Sequence, residues 1–121
     1  MSNGASAYAR VAKTTSSPRD IEAQALLKAA RQLEEVKKNW TGPDKRMNEA
    51  LLFNRQLWTI FMSAAENNDN PQPIEIRQNI ANIGVFVMSQ TIDMQLNPEP
   101  QKLASLIEIN CNIAAGLSGR P

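Results

Sequence analysis

The side chains that most often do chemistry are scarce in this chain. Its 121 residues include no histidine and a single cysteine, Cys111. Histidine is the usual base near neutral pH and the commonest neutral metal ligand. Without it a Ser-His-Asp triad, a Cys–His dyad and an imidazole metal site cannot be built. Acidic pairs such as Glu34-Glu35 fall among lysines on one side of a helical pattern and read as a solvated face. The five glycines are scattered and none follows a strand pattern, so there is no P-loop and no dinucleotide fingerprint. Cys111 lies in an apolar helical stretch and is expected to be a buried, inert thiol. No catalytic, cofactor-binding or metal-binding residue is assigned. The chain is expected not to be an enzyme.

What remains is binding, and its signals are residues that do not match their faces. On a helical wheel Asn54 falls among Leu51, Trp58 and Phe61, and Asn110 among Leu103, Leu106, Ile107 and Ala114. A buried amide without partners costs about 1–3 kcal/mol, so each must find hydrogen bonds. Two readings are open: a register-fixing contact inside the core, or a contact with a partner's backbone in a groove. The opposite misfits are Phe86, beside Asn79, Asn82, Ser89, Gln90 and Asp93, and Leu52, beside Arg55, Gln56 and Ser63. Another helix, or an N-terminal segment carrying Tyr8 and Val11, would cover them; otherwise they form a protein-binding patch. Met62 and Met88 fit either gap-filling core or an adaptable contact surface. Gly84 inside a helix costs about 1 kcal/mol relative to alanine, which implies close approach of another helix.

These residues need helices to position them. The central one contains residues 51–62, the densest apolar stretch, where Met47, Ala50, Leu51, Phe53, Leu57, Trp58, Ile60, Phe61 and Ala65 cover over half the circumference. Before it, Ser17-Pro18-Arg19-Asp20 has the cap, proline and acid of a helix start. Helix one is expected over 18–39 on a stripe of Ala25, Leu26, Ala29, Leu33, Val36 and Trp40. Thr41-Gly42-Pro43-Asp44 repeats the start signal for helix two, which runs to Glu66. Asn67 to Pro73 is a loop by its consecutive Asx residues and prolines. Helix three then runs from Pro73 to Leu96 on Ile76, Ile80, Ile83 and Val87. Helix four spans 100–115, with Gly116 as a left-handed stop. The expected fold is an all-α bundle of about four helices, a single domain over 18–121 preceded by a flexible segment, 1–17.

Charge narrows the partners. Thirteen basic and twelve acidic residues leave a net charge of +1, which is no electrostatic footprint for nucleic acid or an anionic membrane. A DNA-recognition helix would need clustered Arg and Lys; helix three has only Arg77 and helix four only Lys102. No apolar run approaches the roughly 20 residues of a membrane span. One cysteine excludes an intramolecular disulfide and fits a reducing compartment. The start of the chain has no secretory pattern. A cytoplasmic protein with protein partners is expected, without DNA or membrane and with RNA disfavoured as a direct contact.

Several stretches resemble a known family. They are Asn54-Arg55-Gln56-Leu57-Trp58-Thr59-Ile60-Phe61, then Asn79 to Val87 (including Asn82 and Gly84), then Leu106-Ile107-Glu108-Ile109-Asn110 with Ile113-Ala114 and Gly116-Leu117. Ala7-Tyr8-Ala9-Arg10 and Ser17-Pro18-Arg19 add to the likeness, which is to the flagellar biosynthesis regulator FlaF. The resemblance implies a factor needed for flagellar filament assembly, acting with flagellin and alongside the regulator FlbT. It supplies no catalytic residues. Motif residues Asn54, Trp58, Phe61, Asn82, Gly84 and Asn110 are read as core. Two functions follow as expectations. The first is a chaperone-like protein that binds flagellin and promotes its secretion, with Leu52, Met62, Phe86 and Met88 contributing the contact surface. The second is post-transcriptional regulation of flagellin synthesis through its mRNA or through FlbT.

Overall fold

A computed structural model describes residues 17–119. Among these residues there are four α-helices, one short 3₁₀ turn and no strand. The helices are α1 (Pro18–Lys38), α2 (Lys45–Glu66), α3 (Ile74–Leu96) and α4 (Leu103–Leu117), with the 3₁₀ turn over Pro100–Lys102 leading into α4. The all-α bundle expected from the pattern is the fold observed. Of the expected flexible segment only Ser17 falls within the described residues.

Each start has a local cause. Ser17 Oγ accepts the Asp20 N–H and Asp20 Oδ2 accepts the Ser17 N–H, both at 3.2 Å, so the capping box forms. At α2 the reading from sequence shifts by one step. Asp44, not Thr41, is the cap; its Oδ1 accepts the Met47 N–H at 3.1 Å, and helix begins at Lys45. Gly42 sits at φ +118°, a turn that a Cβ would strain, so the residues from Thr41 to Pro43 are spent on reversing the chain. Asn67 and Asn70 fold the next loop through Asx bonds to the N–H groups of Asp69 and Gln72. At the other end, helix continues through Gly116 to Leu117, and Gly119 at φ +74° takes the left-handed turn expected of Gly116.

Packing is unequal among the four. Most of the close approach is between α1 and α4 and between α2 and α3, with α1 against α2 joining the two pairs. The resulting core contains Leu26, Leu33, Leu51, Trp58, Val87, Met94, Leu103 and Leu106, all fully enclosed. Trp58 meets Phe61 edge to face, with ring centroids 5.6 Å apart. Lys28 Nζ lies 5.4 Å from the centre of the Phe53 ring, a cation–π contact between α1 and α2.

Several sequence expectations are corrected by this packing. Asn82, read as core, is exposed, since it stands about 200° round α3 from buried Gly84. Ile60 is exposed, since it stands about 200° round α2 from fully buried Trp58. Cys111 is exposed as well. It is one residue from buried Asn110, but that step turns it about 100° from the face of Leu103, Leu106 and Ala114.

Candidate functional site

The two asparagines that sequence places in the core are both fully buried, and they meet. Asn110 Nδ2 donates to Asn54 Oδ1 at 2.7 Å, and the Trp58 indole N–H donates to Asn110 Oδ1 at 2.9 Å. Asn110 therefore uses both ends of its amide and locks α4 to α2 in one register. Asn54 Nδ2 has no hydrogen-bond partner. With no exposed surface, this triad is an internal lock and not a groove contact, which decides between the two readings.

Gly84 also has a visible reason. A Cβ there would come within 2.5 Å of the Met62 sulfur and closer still to its Cγ. Met62 thus fills the space that the glycine leaves, and the α2–α3 approach depends on both.

Ionic contacts fix the remaining junctions. Arg77 Nε donates to the Ala65 carbonyl at 2.8 Å, tying the start of α3 to the end of α2. Lys102 Nζ donates to the Asn97 carbonyl at 2.7 Å and lies 3.0 Å from Asp93 and 3.4 Å from Glu99. The hydrogen bond that Lys102 donates to the Asp93 carboxylate raises the Lys102 pKa above its ordinary 10.5. The Met47 N–H holds the Asp44 carboxyl below its ordinary 3.8. Among the described residues no group of His, Cys, Asp and Glu could hold a metal ion.

The surface most suited to a partner is on α3. This helix rests chiefly on α2, so much of its circumference has no neighbour among the described residues. Its inward face is Ile80, Gly84, Val87, Thr91 and Met94. A second apolar row runs Ile74, Ala81, Val85, Met88, Ile92 and Leu96, at spacings of 7, 4, 3, 4 and 4. At 100° per residue these six fall within about 80° of arc, a continuous stripe along the helix. Ile74 is 61% exposed, Val85 62%, Ile92 54% and Leu96 73%. From Gln78 to Ile92 no residue is charged.

The four contact residues proposed from sequence are dispersed by this geometry. Leu52 and Phe86 are exposed. Met62 is half-buried against Gly84, and Met88 is half-buried at the core edge of the second row. Phe86 stands about 100° round the helix from Val85, outside that row. Reading one apolar stripe per helix missed Ile74, Val85, Ile92 and Leu96. The heptad-like spacing and the uncharged run were the signals that pointed to them.

A cleft of about 660 Å³ opens at one end of the bundle. It lies between the start of α1, the ends of α2 and α4, and the start of α3, and is lined in part by Phe61, Ile76, Ile80, Ile113 and Leu117. Ile76, expected in the core stripe, is exposed and borders this cleft.

A family model described as "Flagellar protein FlaF" matches residues 4–117. The chain belongs to the FlaF family. No curated protein and no solved structure matches it. Membership assigns a flagellar role. No helix among the described residues is long and apolar enough to cross a membrane.

Proposed function

We propose that this FlaF-family chain binds flagellin in the cytoplasm and promotes its secretion and filament assembly as a chaperone-like protein without turnover. The observation that carries the reading is the second apolar row of α3, in which Ile74, Val85, Ile92 and Leu96 are exposed and whose middle is flanked by uncharged side chains. Such a row is complementary to an amphipathic helix, which would lay its apolar face along Val85, Met88 and Ile92. Flagellin ends in long amphipathic helices that stay unpaired until the filament forms, and covering them before export needs a surface of this kind. The near-neutral charge of the chain favours a protein over RNA as the direct contact. Regulation through FlbT would use the same kind of surface and is separated by partner identity.

The test is titration calorimetry of flagellin into the purified chain at two salt concentrations. Binding with a negative ΔCp and little salt dependence supports apolar docking. The variant Val85→Glu/Ile92→Glu should bind at least about tenfold more weakly while melting as the parent does, because both side chains face solvent. Full binding by that variant removes α3 as the surface. Absence of binding, with FlbT or flagellin mRNA recovered from cytosol instead, removes flagellin as the direct partner.

A further inference from the structure

Helix α3 has a weaker local preference for helix than α1 or α2. Eight of its 23 residues, from Ile74 to Ile92, are β-branched, against two in α1 and two in α2. Branching at Cβ costs rotamer freedom against the preceding turn, and Gly84 in mid-helix adds backbone entropy that packing must offset. Ser17 and Asp44 cap α1 and α2 through their side chains, whereas Pro73 gives α3 no such bond. Helix α3 therefore depends on its neighbours more than α1 and α2 do.

Those neighbours enclose it least. Four of its 23 residues are buried, against six of 21 in α1 and six of 22 in α2. Among the described residues it lies on α2, with little approach to α4 and less to α1. Its buried Thr91 donates to the Val87 carbonyl of the same helix at 2.7 Å, so this hydroxyl ties α3 to nothing else. The polar ties to other elements sit near its two ends, where Arg77 meets the Ala65 carbonyl and Lys102 meets Asp93 and the Asn97 carbonyl. The other three helices hold one another without α3. Helix α1 packs on both α2 and α4, and the Asn54–Asn110–Trp58 bonds join α2 to α4.

We propose that α3 opens as a cooperative unit of its own while α1, α2 and α4 stay folded. Opening uncovers the side of α2 that carries Met62, the residue against Gly84, with Leu51 and Trp58 within about 40° of it. The outer row of α3 is presented only while α3 is seated. On the reading of that row as a docking surface, a helix bound there also holds α3 down. The opening itself does not rest on that reading, and its test uses no flagellin.

The experiment is native-state amide hydrogen exchange, followed by ¹⁵N NMR on the full-length chain, at urea concentrations below the unfolding transition and where reclosing outruns exchange. The slowest amides of α3, between Ile83 and Met94, should exchange at least about 30-fold faster than the slowest of α1, α2 and α4. They should share one opening free energy and depend less on urea, because less surface is exposed. The variant Glu34→Gly separates a local opening from a global one. Glu34 is exposed on α1, and glycine there shifts the unfolding equilibrium of that helix about fivefold. Exchange should accelerate about fivefold in α1, α2 and α4 and stay unchanged in α3, since α1 remains folded when α3 opens. Amides of α3 as slow as the rest, or accelerated by Glu34→Gly as much as the rest, overturn the proposal. Unrelated opening free energies along α3 show fraying in place of a unit and overturn it equally.

Discussion

Replacing either buried asparagine by leucine looks like the same experiment, yet the geometry predicts opposite outcomes. Asn110→Leu removes the acceptor of the Trp58 N–H and the donor to Asn54 Oδ1, leaving two buried polar groups unpaired. At about 1–3 kcal/mol for each orphaned group, the loss is about 2–6 kcal/mol. Asn54→Leu leaves only Asn110 Nδ2 unpaired, and it also deletes Asn54 Nδ2, which is already without a partner. One orphan replaces another, so the net polar cost is about zero, within about 1 kcal/mol. Leucine is bulkier than asparagine at both sites, and the repacking cost is common to the two variants, so it drops out of the difference. Urea unfolding followed by tryptophan fluorescence and far-UV circular dichroism measures that difference. Asn110→Leu should be less stable than Asn54→Leu by about 2 kcal/mol or more, which is about 10 °C in Tm for a domain of this size. Two variants equal within about 0.5 kcal/mol, or a costlier Asn54→Leu, would refute the assignment of donors and acceptors in the triad.

Four further outcomes follow from particular sites. Gly84→Ala gains about 1 kcal/mol of helix propensity but forces Met62 aside, for a net loss of about 1 kcal/mol. Thermal melts of Gly84→Ala, Met62→Ala and the double variant should show the double more stable than the two losses summed. Asp44 has a depressed folded pKa, so its contribution is present above pH 3.8 and disappears as pH falls through the lower folded value. Asp44→Asn should flatten the acid limb of a Tm-against-pH curve. Lys102 is shifted upward, so its contribution is complete below pH 10.5 and disappears as pH rises through the higher folded value. Lys102→Met should flatten the alkaline limb and leave the acid limb as it was. Val85→Glu/Ile92→Glu should leave the urea midpoint within about 0.5 kcal/mol of the parent, since neither side chain is enclosed.

Local signals in the sequence account for most of the fold, because caps and breakers act within a few residues. The Ser17–Asp20 box, the Asx loop before α3 and the burial of Asn54 and Asn110 all follow from spacing alone. That the two asparagines bind each other does not, because their pairing across 56 positions is set by how α4 registers against α2. Burial of a single side chain does not follow from the character of its sequence neighbours. Cys111 sits among apolar residues in sequence but about 100° off the buried face, and burial depends on the angle. The start of α2 is ambiguous in sequence because two capping residues, Thr41 and Asp44, lie three apart, and the left-handed Gly42 shows which segment makes the turn.

The outer row of α3 was missed for a more instructive reason. A helix packed on one neighbour needs one apolar face, and a wheel with apolar residues on two sides shows little net asymmetry. Weak asymmetry suggests a helix enclosed all round, yet α3 is the least enclosed of the four main helices. The conflict disappears if the second face is matched to something outside the chain. A solvated helix would gain solubility from a single lysine or glutamate between Gln78 and Ile92, and none is there. Leaving that row uncharged exposes the chain to nonspecific association, a cost that makes sense only where a partner covers the row. Under the proposed function, that partner is a flagellin helix whose own apolar face must stay covered until the filament takes it.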